Sequence, residues 1–150
     1  MPAEPSKTIA IACDHGGPEL KSILAEDLKS AGFDVLDLGT NGPDSVDYPD
    51  YAYALAHAIK DGKATRGVLI CGSSIGICMA ANRFPEIRAA QIHDALGARL
   101  CREHNDANVI AFGARVIGPE TARDCLKVFL NTEFEGGRHQ GRVDKLSNPS

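Results

Sequence analysis

The chain has no tryptophan, and aromatic residues make up only 5% of its 150 positions. Few rings are therefore available as stacking platforms for single-stranded nucleic acid. A net charge of -4 disfavours binding driven by phosphate neutralisation. No nucleic-acid partner is expected, and the basic C-terminal stretch GGRHQGRVDK is the one local exception. No run reaches about 18 apolar residues, so no membrane span is expected. The opening MPAEPSKT lacks the apolar middle of a secretory signal. Residues 1–7 are expected to fray, and the chain to be cytoplasmic. The five cysteines are odd in number, irregularly spaced and never arranged as CxxC. A disulfide framework, a zinc ribbon and a thioredoxin-type site are all disfavoured.

What is present is an alternation. Short apolar runs rich in β-branched residues (TIAIA at 8–12, FDVLDLG at 33–39, GVLIC at 67–71, RAAQI at 88–92, NVIAFG at 108–113) are separated by stretches with helical spacing. Leu20, Ile23, Leu24 and Leu28 mark the first such stretch, opened by Pro18 and closed by Gly32. Further helices are expected over 48–60, 75–82, 95–104, 118–134 and 138–146. Five strand–helix alternations with nearly continuous apolar strands predict an α/β fold in one domain over residues 1–150. They imply a Rossmann-like three-layer α/β/α sandwich around a five-stranded parallel sheet.

Ligands of such sheets bind beyond the strands' carboxyl ends. Asp14 and His15 follow the first strand, Cys71 and the loop Gly72–Gly76 the third, and Arg115 the fifth. His104 and Asn105, after the fourth helix, are expected to join them. The Gly-Ser-Ser-Ile-Gly loop, through Ser73, Ser74 and Ile75, exposes backbone N–H groups at a helix start. That suits an anion, or serves only as a tight turn. It is neither a Walker A nor a GxGxxG sequence, and no cluster with metal-ligand spacing stands out. Cys71 reads as a buried strand-end cysteine or as a thiolate base favoured by helix N–H dipoles. Cys78 reads as core. Asp14–His15 reads as a catalytic pair or an N-cap, and His104 as an acid or a helix C-terminal imidazole. Arg138 and Arg142, four apart with His139 beside the first, make a phosphate clamp or a solvated basic face. Taken together, these groups fit proton transfer next to the carbonyl of a small phosphorylated molecule.

The segments IAIACDHGGPELK, DYPDYA, GVLICGSSIGICMAANR, REHNDANVIAFGARVIG and NTEFEGGRHQGRVDKL carry a resemblance over nearly the whole chain. It resembles the type B ribose-5-phosphate isomerases, in the family shared with galactose- and allose-6-phosphate isomerases. The resemblance implies an aldose–ketose isomerase acting on a phosphorylated pentose, with no metal and no cofactor. It also implies a homodimer or tetramer with sites shared between subunits. Cys71 matches the base moving a proton between C2 and C1. Some members instead carry glutamate where Ile77 stands. Gly72–Gly76 matches the enediolate-binding loop, with Ser73 as its hydroxyl. His104 matches the acid that opens the furanose ring, with Asp14 assisting, and Asn105 a sugar contact. His15, Arg115, Arg138 and Arg142 match the phosphate-binding set, and Tyr48 lines the site. The family usually has glycine at the position of Ser74, where a left-handed backbone would disfavour serine. The alternatives are an allose- or galactose-6-phosphate isomerase, a non-catalytic sugar-phosphate-binding module, and a thiol redox protein pairing Cys71 with Cys78.

Overall fold

The computed structural model describes residues 7–150; of the terminus expected to fray, residues 1–6 lie outside the described residues. The strands are β1 (Thr8–Cys13), β2 (Asp34–Asp37), β3 (Arg66–Cys71), β4 (Ala89–Gln91) and β5 (Val109–Gly113). They alternate with α1 (Pro18–Ser30), α2 (Tyr48–Lys60), α3 (Ile75–Ala81), α4 (Ala95–Glu103) and α5 (Pro119–Asn131). A 3-10 turn (Gly137–His139) leads into α6 (Gln140–Leu146). All strand pairings are parallel, in the order β2-β1-β3-β5-β4. This is the five-stranded parallel α/β sheet that the alternation predicts.

Strand side chains alternate between faces, and each face takes its own helix layer. Ile9, Ile11, Cys13, Val68, Ile70, Ile110 and Phe112 pack against α1, α4 and α5 through Leu24, Leu28, Cys101, Leu126 and Phe129. On the other face, Ala10, Ala12, Leu69, Cys71, Val109 and Ala111 meet α2 and α3 through Leu55, Ile77 and Ala81. Cys78 belongs to this second cluster, in agreement with its reading as core.

The expected helix over 118–134 ends early, at Asn131. Asn131 Nδ2 and Thr132 Oγ1 both donate back, to the carbonyls of Lys127 and Val128 at 2.7 Å, and Thr132 is extended. These side chains satisfy the last carbonyls that another turn would otherwise take up. The helix expected over 138–146 is split, because Arg138 lies in the 3-10 turn and Arg142 in α6. The two arginines therefore do not share one α-helical face. Both are exposed.

Candidate active site

The chain leaves β1 for β2 on one side of the sheet and reaches β3 on the other. The crevice between the carboxyl ends of β1 and β3 is thus the topological switch point, where open α/β sheets bind ligands. A cavity of about 320 Å³ opens there. Asp14, His15, Gly16, Tyr48, Cys71, Gly72, Ser73, Gly76 and Arg115 line it. Ladder-like bonds extend past the strands to hold these segments together. Asp14 N donates to Ile70 O at 3.2 Å, Ala114 N to Cys71 O at 2.9 Å and Arg115 N to Gly72 O at 3.0 Å.

Each side chain is placed by local chemistry. Asp14 is buried, and its Oδ1 accepts from Gly16 N at 2.8 Å. It therefore ties its own turn and does not cap α1, whose N-cap is Gly17 with no side-chain bond. His15 Nδ1 lies 3.1 Å from the Val46 amide nitrogen and 3.2 Å from the Val46 carbonyl oxygen. Either protonation state of that nitrogen finds a partner. The Tyr48 ring covers Gly76, where an added Cβ would sit 2.6 Å from the ring carbon Cζ.

Cys71 is only 4% exposed, and its Sγ accepts from the backbone N–H of Ser74 at 3.1 Å. The other four cysteines are buried as well. Burial pushes the thiols of Cys13, Cys101 and Cys125 up to about 11. It also raises that of Cys78, with Cys71 adding to the effect. Ser74 keeps the loop's shape by adopting the left-handed conformation, φ 71°. Its own Oγ is buried without a hydrogen-bond partner among the described residues. Ile75 N donates to Ser73 Oγ at 3.2 Å. Two of the loop amides are therefore already engaged within the loop.

His104 and Asn105 are not at this crevice. The expectation that they join the other groups overlooked the direction of a helix between parallel strands. Such a helix runs back along the sheet, so its end lies beside the next strand's beginning. His104 closes α4 just before Asn108, whose amide donates to Arg88 O at the entrance of β4. The six residues of β3, at about 3.3 Å each, separate that edge from Cys71 by roughly 15 Å or more. The tail carrying Arg138 and Arg142 sits at the His104 edge too. His139 stacks on His104, and Ser147 Oγ donates to Pro85 O at 2.9 Å. The named residues thus form two groups at opposite ends of one sheet. Asp14, His15, Tyr48, Cys71, Gly72–Gly76 and Arg115 are at one end, and His104, Asn105, Arg138 and Arg142 at the other.

The family model for ribose/galactose isomerases matches residues 9–146. The chain belongs to the ribose/galactose isomerase family. As an isomerase of this family it is 47% identical over 141 residues to a D-erythrulose-4-phosphate isomerase of Pectobacterium atrosepticum, covering 93% of this chain and 92% of that protein. It is 44% identical to ribose-5-phosphate isomerase B of Escherichia coli, covering 94% and 95%. The solved structure of Clostridium thermocellum ribose-5-phosphate isomerase B superposes with a TM-score of 0.92 at 48% identity, covering 93% and 95%.

Tertiary structure also brings up residues that the sequence pattern did not single out. Gly16 lines the cavity, and its only sequence signal is that it follows Asp14–His15. Glu135 lies beside His104 and His139; it stands four residues before His139, but nothing in the spacing brings it to His104.

Proposed function

We propose that this isomerase interconverts ribose 5-phosphate and ribulose 5-phosphate, with Cys71 carrying a proton between C2 and C1. The observation behind this reading is the place of Cys71 at the switch-point cavity, with a loop amide directed at its sulfur. A thiolate there can take the C2 proton of an open-chain aldose. The amides of Ser74 and Ile75 are engaged within the loop, so holding the enediolate oxygens falls to the remaining N–H groups of Gly72–Gly76. The thiol returns the proton to C1. Arg115 and His15 approach the phosphate from this side. Among the described residues, no helix is long and apolar enough to cross a membrane. A phosphorylated substrate fits a cytoplasmic setting.

One chain supplies only half of this chemistry. A ring-opening acid at His104, the sugar contact Asn105 and the clamp Arg138/Arg142 lie too far from Cys71 to serve the same cavity. A second copy, with its His104 edge laid over the Cys71 cavity, completes the site in a homodimer or in a tetramer built from two such dimers. His104 then donates a proton to the furanose oxygen while a base removes the C1 hydroxyl proton, and the ring opens. Mixing inactive Cys71→Ala and His104→Ala proteins tests this arrangement. Random reassortment gives some dimers one intact site, so about a quarter of wild-type activity returns. No recovery after subunit exchange would rule the shared site out.

Substrate length is tested by kcat/KM on ribose 5-phosphate against allose 6-phosphate and D-erythrulose 4-phosphate. A preference for ribose 5-phosphate supports the reading. The four-carbon substrate is the second reading, favoured by the 47% identity to a D-erythrulose-4-phosphate isomerase. One carbon more or less is worth only about 10- to 200-fold in discrimination, so the ranking has to be measured.

A further inference from the structure

Three side chains at the end of α4 form a unit of their own. The His104 and His139 rings stack with centroids 4.4 Å apart and planes 15° from parallel. Glu135 Oε1 lies 3.8 Å from His104 Nε2 and 3.4 Å from His139 Nε2. The backbone builds this arrangement on purpose-shaped turns. Glu135 N donates to Glu103 O at 3.1 Å, pinning the tail to the last turn of α4. Gly136 and Gly137, with φ of 68° and 53°, reverse the chain so that His139 returns over His104. His139 is only 6% exposed, and its neighbour Val143 is buried, so the lower ring of the stack is fixed. The His104 side chain remains 39% exposed.

The donor set invites a divalent metal, since the ligand atoms of His104, Glu135 and His139 all lie within 4.8 Å of one another. The stack argues against it. A metal binds an imidazole nitrogen along the lone pair, close to the ring plane. Two rings stacked nearly parallel cannot both place one ion in their planes. The same stack is well suited to holding a ring still. The His139 face fixes the plane of the His104 ring. At 3.8 Å Glu135 is too far for a hydrogen bond but near enough to attract the Nε2–H edge. The other nitrogen, Nδ1, is thereby left for a ligand.

We propose that Glu135 and His139 are positioning residues for His104, setting the plane and facing edge of its imidazole for opening the sugar ring. The inference rests on the reading of His104 as the ring-opening acid. A freely rotating, half-exposed histidine would spend most of its time misdirected, and a misplaced catalytic group costs rate steeply. The unit acts only in ring opening, so its loss leaves the Cys71 proton transfer intact.

Ring opening is read directly in a Cys71→Ala background, which opens the ring but cannot isomerise. The measurement is the rate of α/β anomer exchange of ribose 5-phosphate labelled with carbon-13 at C1, followed by exchange NMR with saturating sugar. Cys71→Ala protein accelerates the exchange over buffer, and a further His104→Ala change removes the acceleration. Glu135→Ala and His139→Ala, each added to Cys71→Ala, slow it at least about 10-fold, within the range that general acid catalysis supplies. Glu135→Gln, which keeps the size and backbone bonds, also slows it. His139→Phe, which keeps a flat ring under His104, restores most of it, a rescue that a merely structural role for the His139 nitrogen would not show. Unchanged exchange in Glu135→Gln and His139→Ala proteins that remain folded would overturn the inference. An absence of acceleration in Cys71→Ala itself, or its survival in His104→Ala, would instead remove the underlying reading of His104.

Discussion

The backbone N–H of Ser74 points at the Sγ of Cys71 from 3.1 Å, and Ser74 adopts a left-handed backbone, φ 71°, to put it there. A side chain in that region costs roughly 1–2 kcal/mol relative to glycine. The serine hydroxyl adds to the cost, being buried with no partner among the described residues. The loop geometry outweighs both.

Ser74→Gly therefore stabilises the protein by about 1 kcal/mol, the strain relief exceeding the entropy glycine adds to the unfolded chain. Its amide remains, so turnover is retained. Urea midpoints check this. A lower midpoint for the glycine variant would show that the left-handed serine is not strained.

Cys71→Ala and Cys71→Ser separate chemistry from packing. The residue is buried, yet its replacement by serine nearly conserves volume. Both variants lose about 100- to 10,000-fold in kcat, the usual worth of a general base. The thermal midpoint of the serine variant moves little. Near-normal turnover in either would remove Cys71 from the mechanism.

Gly113 packs against the loop from below. A Cβ there would sit 2.7 Å from the Ser73 carbonyl carbon, and backbone cannot swing aside. Gly113→Ala displaces the loop and lowers kcat at least about 10-fold, since small misplacements are costly in a catalytic site. Gly118→Ala, with nothing within 4 Å and no left-handed backbone, is the matched control and behaves like wild type. Equal kinetics for the two variants would show that the loop position does not limit turnover.

Three thiols make stability fall in alkali. Burial raises those of Cys13, Cys101 and Cys125 from 9.0 to about 11 in the folded chain. The folded state then holds protons that the unfolded state releases above pH 9. This stability is fully present below pH 9 and is lost as pH rises towards 11. Each thiol contributes at most about 1.4 kcal/mol per pH unit to the slope. Urea unfolding at pH 8, 9 and 10 reads it, and Cys13→Ala flattens the fall. A midpoint independent of pH over this range would count against the burial effect.

Much of the architecture was legible in local sequence because it depends on short-range periodicity. Ile9 and Ile11 alternate with Ala10 and Ala12, and Leu20, Leu24 and Leu28 recur at helical spacing, so the strands and α1 stand out. The end of α5 was not legible. Asn131 and Thr132 look helix-compatible, yet their side chains bond back to Lys127 and Val128 and the backbone turns extended at Thr132. The Cys71 group could be located because a residue directly after a parallel strand lies at the carboxyl end of the sheet. His104 follows a helix, and its placement depends on the direction in which that helix returns.

The sequence by itself determined the parallel α/β alternation, the family, and the residue types at each end of the sheet, because periodicity and contiguous motifs are local properties of the chain. Only the tertiary structure decided that Cys71 and His104 stand at opposite edges and that Glu135 sits beside two stacked imidazoles. These facts depend on how helices run back along a sheet and where a glycine turn returns the tail, and such long-range packing leaves no mark in the spacing of residues.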